Sequence, residues 1–337
     1  MDRVGRHQHP AELHGARRAV ALTMAACLLV SCSTQQAPDR KTEPDRTLSG
    51  APTSPGDSAG SRSPAPQPTP DETLGGLPSE PSAAPRSAPA LAAQLDRAAA
   101  TVRDRDATAV DVRRAAEFHQ LAIRTLTTAS GAFRRRVMTR LHPETALAIR
   151  GDVRAGRSLH AMTTPEQTLP RWRIVEPPPA ADLVRYYREA QRRTGVPWAY
   201  LAAIHLVETR MGRIRGTSTA GALGPMQFLP ATWALYGAGG DINDPRDAIL
   251  AAARLLRANG APDDMAEALW HYNPSDNYVR AVSEQARTIQ RSRSAYRGYW
   301  HWHVLYSHVR GTYLLPVGYP DTRPVLLRQP VVNGGRR

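Results

Sequence analysis

Apolar residues recur every three or four positions through the middle of the chain. Leu91, Leu95, Ala98 and Val102 mark one helix, and Val112, Ala115, Phe118, Leu121, Ala122 and Leu126 a second. The stretch 91–165 is thus expected to be a helical pair or small bundle. Arg113, Arg114, Arg134, Arg135 and Arg136 would give it a basic, solvated outer face. After Pro178-Pro179 the pattern predicts a helix from Asp182 to Arg193, then a turn through Thr194-Gly195-Val196. Pro197 suits the first turn of the next helix, Trp198 to about Met211. An alanine-rich helix follows from Asp247 to Ala258 with Asp247 as its cap. Asp263 or Asp264 caps another through Trp270, and Asn277 to Gln290 forms the last. The period then falls to two. Trp300, Trp302, Val304 and Tyr306 alternate with His301, His303 and Leu305, and Arg310-Gly311 turns the chain into Thr312–Val317. The fold class expected is mainly α, with an N-terminal helical region and a small C-terminal β-hairpin and tail over 293–337.

The first ninety residues read differently. Arg3, Arg6, Arg17 and Arg18 precede an apolar run from Ala19 to Val30, too short to span a bilayer and of the length of a secretory h-region. It ends in Leu29-Val30-Ser31-Cys32, which resembles a lipobox, so residues 1–31 are expected to be a lipoprotein signal peptide and Cys32 the lipidated residue. Residues 32–90 are rich in Pro, Ser, Thr and Ala, with almost nothing to bury, and are expected to be a disordered tether. Of the 2 cysteines, Cys27 leaves with the signal, so no disulfide is expected. The formal charge of +14 would suggest nucleic acid in a cytoplasmic protein. No zinc-finger spacing, Walker loop or dinucleotide fingerprint accompanies it, and no nucleic-acid partner is expected. For an exported, lipid-anchored monomer the anions at hand are those of membrane and wall.

Chemistry concentrates after position 205. Glu208 follows Ala202-Ala203-Ile204-His205-Leu206-Val207, near the C-terminal end of an apolar helix. Burial and the negative end of the helix dipole both disfavour its charged form, so its pKa is expected to rise. The alternative is an exposed glutamate paired with Arg210 or Arg213. Gly221, Gly224 and Pro225 let backbone approach a ligand, and Gln227 offers a donor and an acceptor. Trp233 is expected in the core. Tyr272 and Asn273 end a helix beside Pro274, within reach of the same cleft.

Three ordered motifs carry a family resemblance: Val207-Glu208-Thr209 with Gly212; Gly221-Ala-Leu-Gly-Pro-Met-Gln-Phe-Leu-Pro-Ala-Thr-Trp233; and Tyr272-Asn273-Pro-Ser275 with Tyr278-Val279. Residues 197–290 resemble the catalytic domain of lytic transglycosylases of the lysozyme-like superfamily, similar to the membrane-bound B type in actinobacteria-like lipoproteins. The resemblance implies a lysozyme-like domain over 170–292 that cuts peptidoglycan glycan strands between N-acetylmuramic acid and N-acetylglucosamine. Glu208 would be the lone acid/base, the product a 1,6-anhydro sugar. Gln227, Tyr272 and Asn273, with Met226 and Thr209, would bind substrate. Hydrolytic glycosidases use two carboxylates, whereas Asp241, Asp244, Asp247, Asp263 and Asp264 read as turn residues and caps. No metal or cofactor is expected, since Asp241-Ile242-Asn243-Asp244 lacks the glycine and distant glutamate of a calcium loop. Anionic wall polymers are a further possible contact. The rival readings are a muramidase with a hidden second aspartate and an inactive wall-binding lipoprotein.

Overall fold

A computed structural model describes residues 87–327, together with the backbone of two short paired strands, β1 (Thr73–Leu74) and β2 (Leu77–Pro78). The signal segment, Cys32 and most of the expected tether lie outside the described residues. No helix among the described residues is long and apolar enough to cross a membrane.

The N-terminal helical region is a four-helix arrangement: α1 (Ala88–Arg103), α2 (Ala109–Thr128), α3 (Gly131–Met138) and α4 (Pro143–Ala161). Helix α1 begins inside the expected tether, because Ser87 accepts from Ala90 N and Pro89 fits the first turn. Its apolar stripe, Leu91, Leu95, Ala98 and Val102, packs with Phe118, Leu126, Phe133 and Ile149 into one core cluster. Arg113, Arg135 and Arg136 are exposed, whereas Arg114 and Arg134 are half-buried.

The second, larger core belongs to α5 (Ala180–Thr194), α6 (Trp198–Thr209), α7 (Pro230–Tyr236), α8 (Pro245–Ala258), α9 (Met265–Tyr272), α10 (Asp276–Arg291) and α11 (Arg293–Trp300). Two short strands, β3 (Arg173–Ile174) and β4 (Ile214–Arg215), pair outside it, where Ile174 and Ile214 pack with Val304, Tyr306 and Leu315. Helix α8 is capped by Asp244, which accepts from Asp247 N, and Pro245 enters its first turn. The expected cap at Asp247 is therefore corrected by one turn. Asp264 caps α9 and Ser275 caps α10. Helix α10 also packs along α4, where Gly151 allows close approach: a Cβ there would lie 2.9 Å from Thr288 Oγ1. Arg154 of α4 closes that contact with two bonds of 2.9 Å to the Glu284 carboxylate.

The largest departure is at the C-terminus, where a helix occupies the start of the expected strand. Tyr296 and Tyr299 stand three apart, and both enter the core as α11. That helical spacing overrides the alternation that begins at Trp300. The strands are β5 (Val304–His308), β6 (Gly311–Leu315) and β7 (Val325–Leu326), antiparallel in that order. His301 and His303 therefore precede the sheet. His301 caps α11, and His303 Nε2 lies 3.0 Å from Glu117 Oε1. The aromatic residues serve packing: Trp302 is buried edge-on against Tyr299, and Tyr306 and Tyr319 donate to Thr168 O and Pro170 O.

Candidate active site

Helix α6 is apolar on every side, with ten of its 12 residues buried, so it runs through the core instead of over it. Glu208 is its penultimate residue and is 5% exposed. Burial pushes its carboxyl up to about 7, and the hydrogen bond from Tyr278 works in the opposite direction. Tyr278, in the first turn of α10, donates its hydroxyl to Glu208 Oε1 at 2.7 Å. Tyr272 at the end of α9 stacks nearly parallel to Tyr278, 6.2 Å between centroids. Three helices thus fix one carboxylic acid.

The glycine-rich segment forms a tight hairpin beside it. Leu223 and Phe228 exchange both backbone bonds at 2.9 Å, which encloses Gly224-Pro225-Met226-Gln227. Gly224 has φ +74, and a Cβ would sit 1.9 Å from Ile242 O, so only glycine fits. Two hydroxyls strap the hairpin to the acid-bearing helix and its neighbour. Thr209 Oγ1 donates to Pro225 O at 2.6 Å and accepts from Gly212 N at 3.0 Å, while Tyr272 donates to Met226 O at 2.6 Å. Gln227, itself at φ +50, donates Nε2 to Gly224 O at 2.8 Å.

After Thr209 the backbone turns left-handed for three residues: Arg210 (φ +53), Met211 (+61) and Gly212 (+84). This ends α6 two residues before the Met211 boundary expected from its pattern. Left-handed backbone is costly for residues with a Cβ, about 1–2 kcal/mol each. Here Met211 N bonds His205 O and Arg210 N bonds Leu206 O, which satisfies the helix end. The turn sends both nearby arginines away from Glu208. Arg210 Nη1 donates to Leu206 O, and Arg213 reaches Glu176 Oε2 and Trp300 O. The alternative of an exposed, arginine-paired Glu208 does not describe this arrangement.

The structure brings Glu208, Thr209, Met226, Gln227 and Tyr272 into one connected cluster through the bonds just described. Thr209 and Met226 are fully buried, and the Thr209 hydroxyl and the Met226 carbonyl are engaged in the bonds that brace the hairpin. Tyr272 spends its hydroxyl on the same brace. Asn273 is 4% exposed at the end of α9, its carbonyl accepting from Ser275 N at 2.7 Å. Trp233 is half-buried edge-on to Phe228. Asp241 accepts from Asn243 N within its turn, Asp244 and Asp264 are caps, and Asp247 accepts from Asp241 N. Tyr278 stands in the third sequence motif, which assigned it no role in the site. Its signal was its place three residues after the helix-capping Ser275, which turns it inward. Among the described residues no group of three or more His, Cys, Asp or Glu is placed to hold a metal ion. Cavities of about 360 and 490 Å³ lie between the N-terminal helices and the rest, and Glu208 lines neither. Size alone would direct attention there; the chemistry of the buried acid directs it to α6.

A helical core that delivers one buried acid beside a glycine-rich hairpin defines a lysozyme-like domain. Residues 185–294 match the family model described as the Transglycosylase SLT domain, from within α5 to the start of α11. No curated protein and no solved structure gave a match to the chain. Domains of this family are lytic transglycosylases, lyases acting on a polysaccharide, and the substrate they imply is peptidoglycan of the cell wall.

Proposed function

We propose that the protein cleaves the bond between N-acetylmuramic acid and N-acetylglucosamine non-hydrolytically, with Glu208 as the single acid and base. The observation that carries this reading is a buried carboxyl held near pKa 7 by its surroundings, with Tyr278 as its bonded partner. A group poised there is half protonated at neutral pH and can serve in both directions. As an acid, Glu208 gives its proton to the glycosidic oxygen as the bond to the muramic C1 breaks and the substrate's acetamido oxygen supports that carbon. As a base, the resulting carboxylate takes the proton of the muramic 6-hydroxyl, whose oxygen bonds C1 and closes the 1,6-anhydro ring. No water is consumed. Gln227 and Asn273 are the amide side chains proposed to orient the sugar, Gln227 from a hairpin whose shape Thr209, Tyr272 and Met226 maintain and Asn273 from the end of α9. Cys32 is proposed as the lipid anchor, which would hold the enzyme on the outer face of the cell membrane with the wall in reach.

The test is digestion of purified sacculi with mass analysis of the products. Wild type is expected to release muropeptides ending in 1,6-anhydro-N-acetylmuramic acid, one water lighter than hydrolysis products, and Glu208→Gln to release none. Reducing-end muropeptides formed directly would identify a muramidase instead. Undiminished cleavage by Glu208→Gln would remove this residue from the mechanism.

A further inference from the structure

A cavity of about 490 Å³ lies where α2, α4, the end of α6, α10 and the β5–β6 turn meet. Arg124, Arg210 and Arg310 stand in its walls, and Asp152 is the one acid among its lining residues. Asp152 is already engaged, accepting from Tyr299 Oη with His119 Nε2 at 3.0 Å. The arginines are not comparably matched. Arg124 donates Nε and Nη2 to the neutral Thr312 hydroxyl at 3.1 and 2.7 Å. Arg210 donates to the neutral Leu206 carbonyl, and its Nε is sealed from solvent with no hydrogen-bond partner. Burial lowers the pKa of both, that of Arg210 to about 10, and no carboxylate acts on either in opposition. Buried charge is ordinarily paired, because desolvation without compensation is expensive. Two part-buried guanidinium groups with only neutral partners, in one cavity, present a positive surface complementary to an anion.

The remaining wall defines that anion further. Gln285 Oε1 is a buried acceptor and Trp302 Nε1 a buried donor, and neither has a hydrogen-bond partner. A ligand that satisfies this set carries a carboxylate for the guanidinium fork and an N–H for the amide oxygen. A peptide has both. A phosphodiester polymer has no N–H to give and would leave Gln285 unmet. The left-handed turn after Thr209 is what brings the Arg210 guanidinium into this cavity, two residues beyond Glu208. We propose that the cavity is a second binding site, which takes a short peptide through its carboxylate on Arg124 and Arg210. The carboxylate is the same whether the peptide is free or branches from a glycan strand. The second source rests on the peptidoglycan reading above.

Calorimetric titration of the full chain tests this with four probes: the free stem tetrapeptide of peptidoglycan, the same peptide with its carboxylates amidated, the peptide linked to its disaccharide, and inorganic phosphate. The tetrapeptide is expected to bind, and amidation, Arg124→Gln or Arg210→Gln to weaken it at least tenfold while circular dichroism stays native. Glu208→Gln is expected to bind the free peptide as wild type does, so loss of cleavage and loss of this site are read separately. Tight binding of the disaccharide-linked form assigns the site to the substrate strand, and its exclusion alongside binding of the free form assigns it to released peptides. Equal binding of the amidated peptide, phosphate binding as tight as the peptide, or no binding of any peptide would overturn the proposal. Should an arginine variant fail to fold, the amidated peptide still decides.

Discussion

Replacing Glu208 with glutamine should make the protein more stable at alkaline pH, by an amount the burial of that residue sets. In the fold the carboxyl titrates at about 7, against an ordinary value of 4.5. Below 4.5 the native and unfolded chains both hold the proton, and burial of the neutral acid carries no charge penalty. Between 4.5 and 7 the unfolded chain releases a proton that the native chain retains, so native stability falls as pH rises. Above 7 the loss is complete, at about 3 kcal/mol from ~1.4 kcal/mol per pKa unit. Glutamine keeps the shape and an oxygen to accept from Tyr278, and it never ionises. Urea unfolding of both proteins at pH 4 and pH 8 measures the difference of differences, in which all other titrating groups cancel. Glu208→Gln is expected to gain about 3 kcal/mol on wild type between the two pH values while losing cleavage at both. A stability difference independent of pH would refute the claim that the fold holds this acid protonated.

Tyr278→Phe removes a bond that favours the carboxylate, so the alkaline limb of the pH–rate profile should move above about 7; a limb that stays in place would show that the tyrosine does not tune the acid. Gly224→Ala puts a Cβ 1.9 Å from Ile242 O at φ +74, and should lower Tm and abolish cleavage by displacing the hairpin. Wild-type Tm and rate in that variant would contradict the strapped geometry. Thr209→Val leaves Pro225 O and Gly212 N unpaired in the interior and should cost about 2–4 kcal/mol in urea unfolding, whereas a loss below 1 kcal/mol would mean that water replaces the hydroxyl.

Much of this was legible in the residues, because helices bury stripes and the stripes were regular. The all-round apolar character of Ala202–Val207 located both the central helix and the acid at its end. The glycines at 221 and 224 marked the loop, and the structure closes it into a hairpin at Leu223 and Phe228. What escaped was set by distance in space. Tyr278 is seventy residues from Glu208, and nothing local to either announces the bond. The complete burial of Thr209 and Met226 was not legible either, since motif membership does not distinguish an exposed position from one that supports the loop from inside. Helix α11 escaped for a different reason: around Trp300 the aromatic spacing fits both periods, and the tertiary core chose between them.

Helix α10 faces two ways. Its first turn supplies Tyr278 to the acid, and two turns later Glu284 and Thr288 lie against Arg154 and Gly151 of α4. The segment that matches the transglycosylase family begins at residue 185, so α4 is outside it. The segment of family likeness and the packed body around α10 therefore have different limits. Cut at the limits of family likeness, the chain would retain the acid and its tyrosine yet strip the flank of the rod that aims one at the other. What the helices before residue 162 supply is the far wall of that rod: α4 covers the flank of α10 opposite the acid, and Arg154 and Gly151 hold it there.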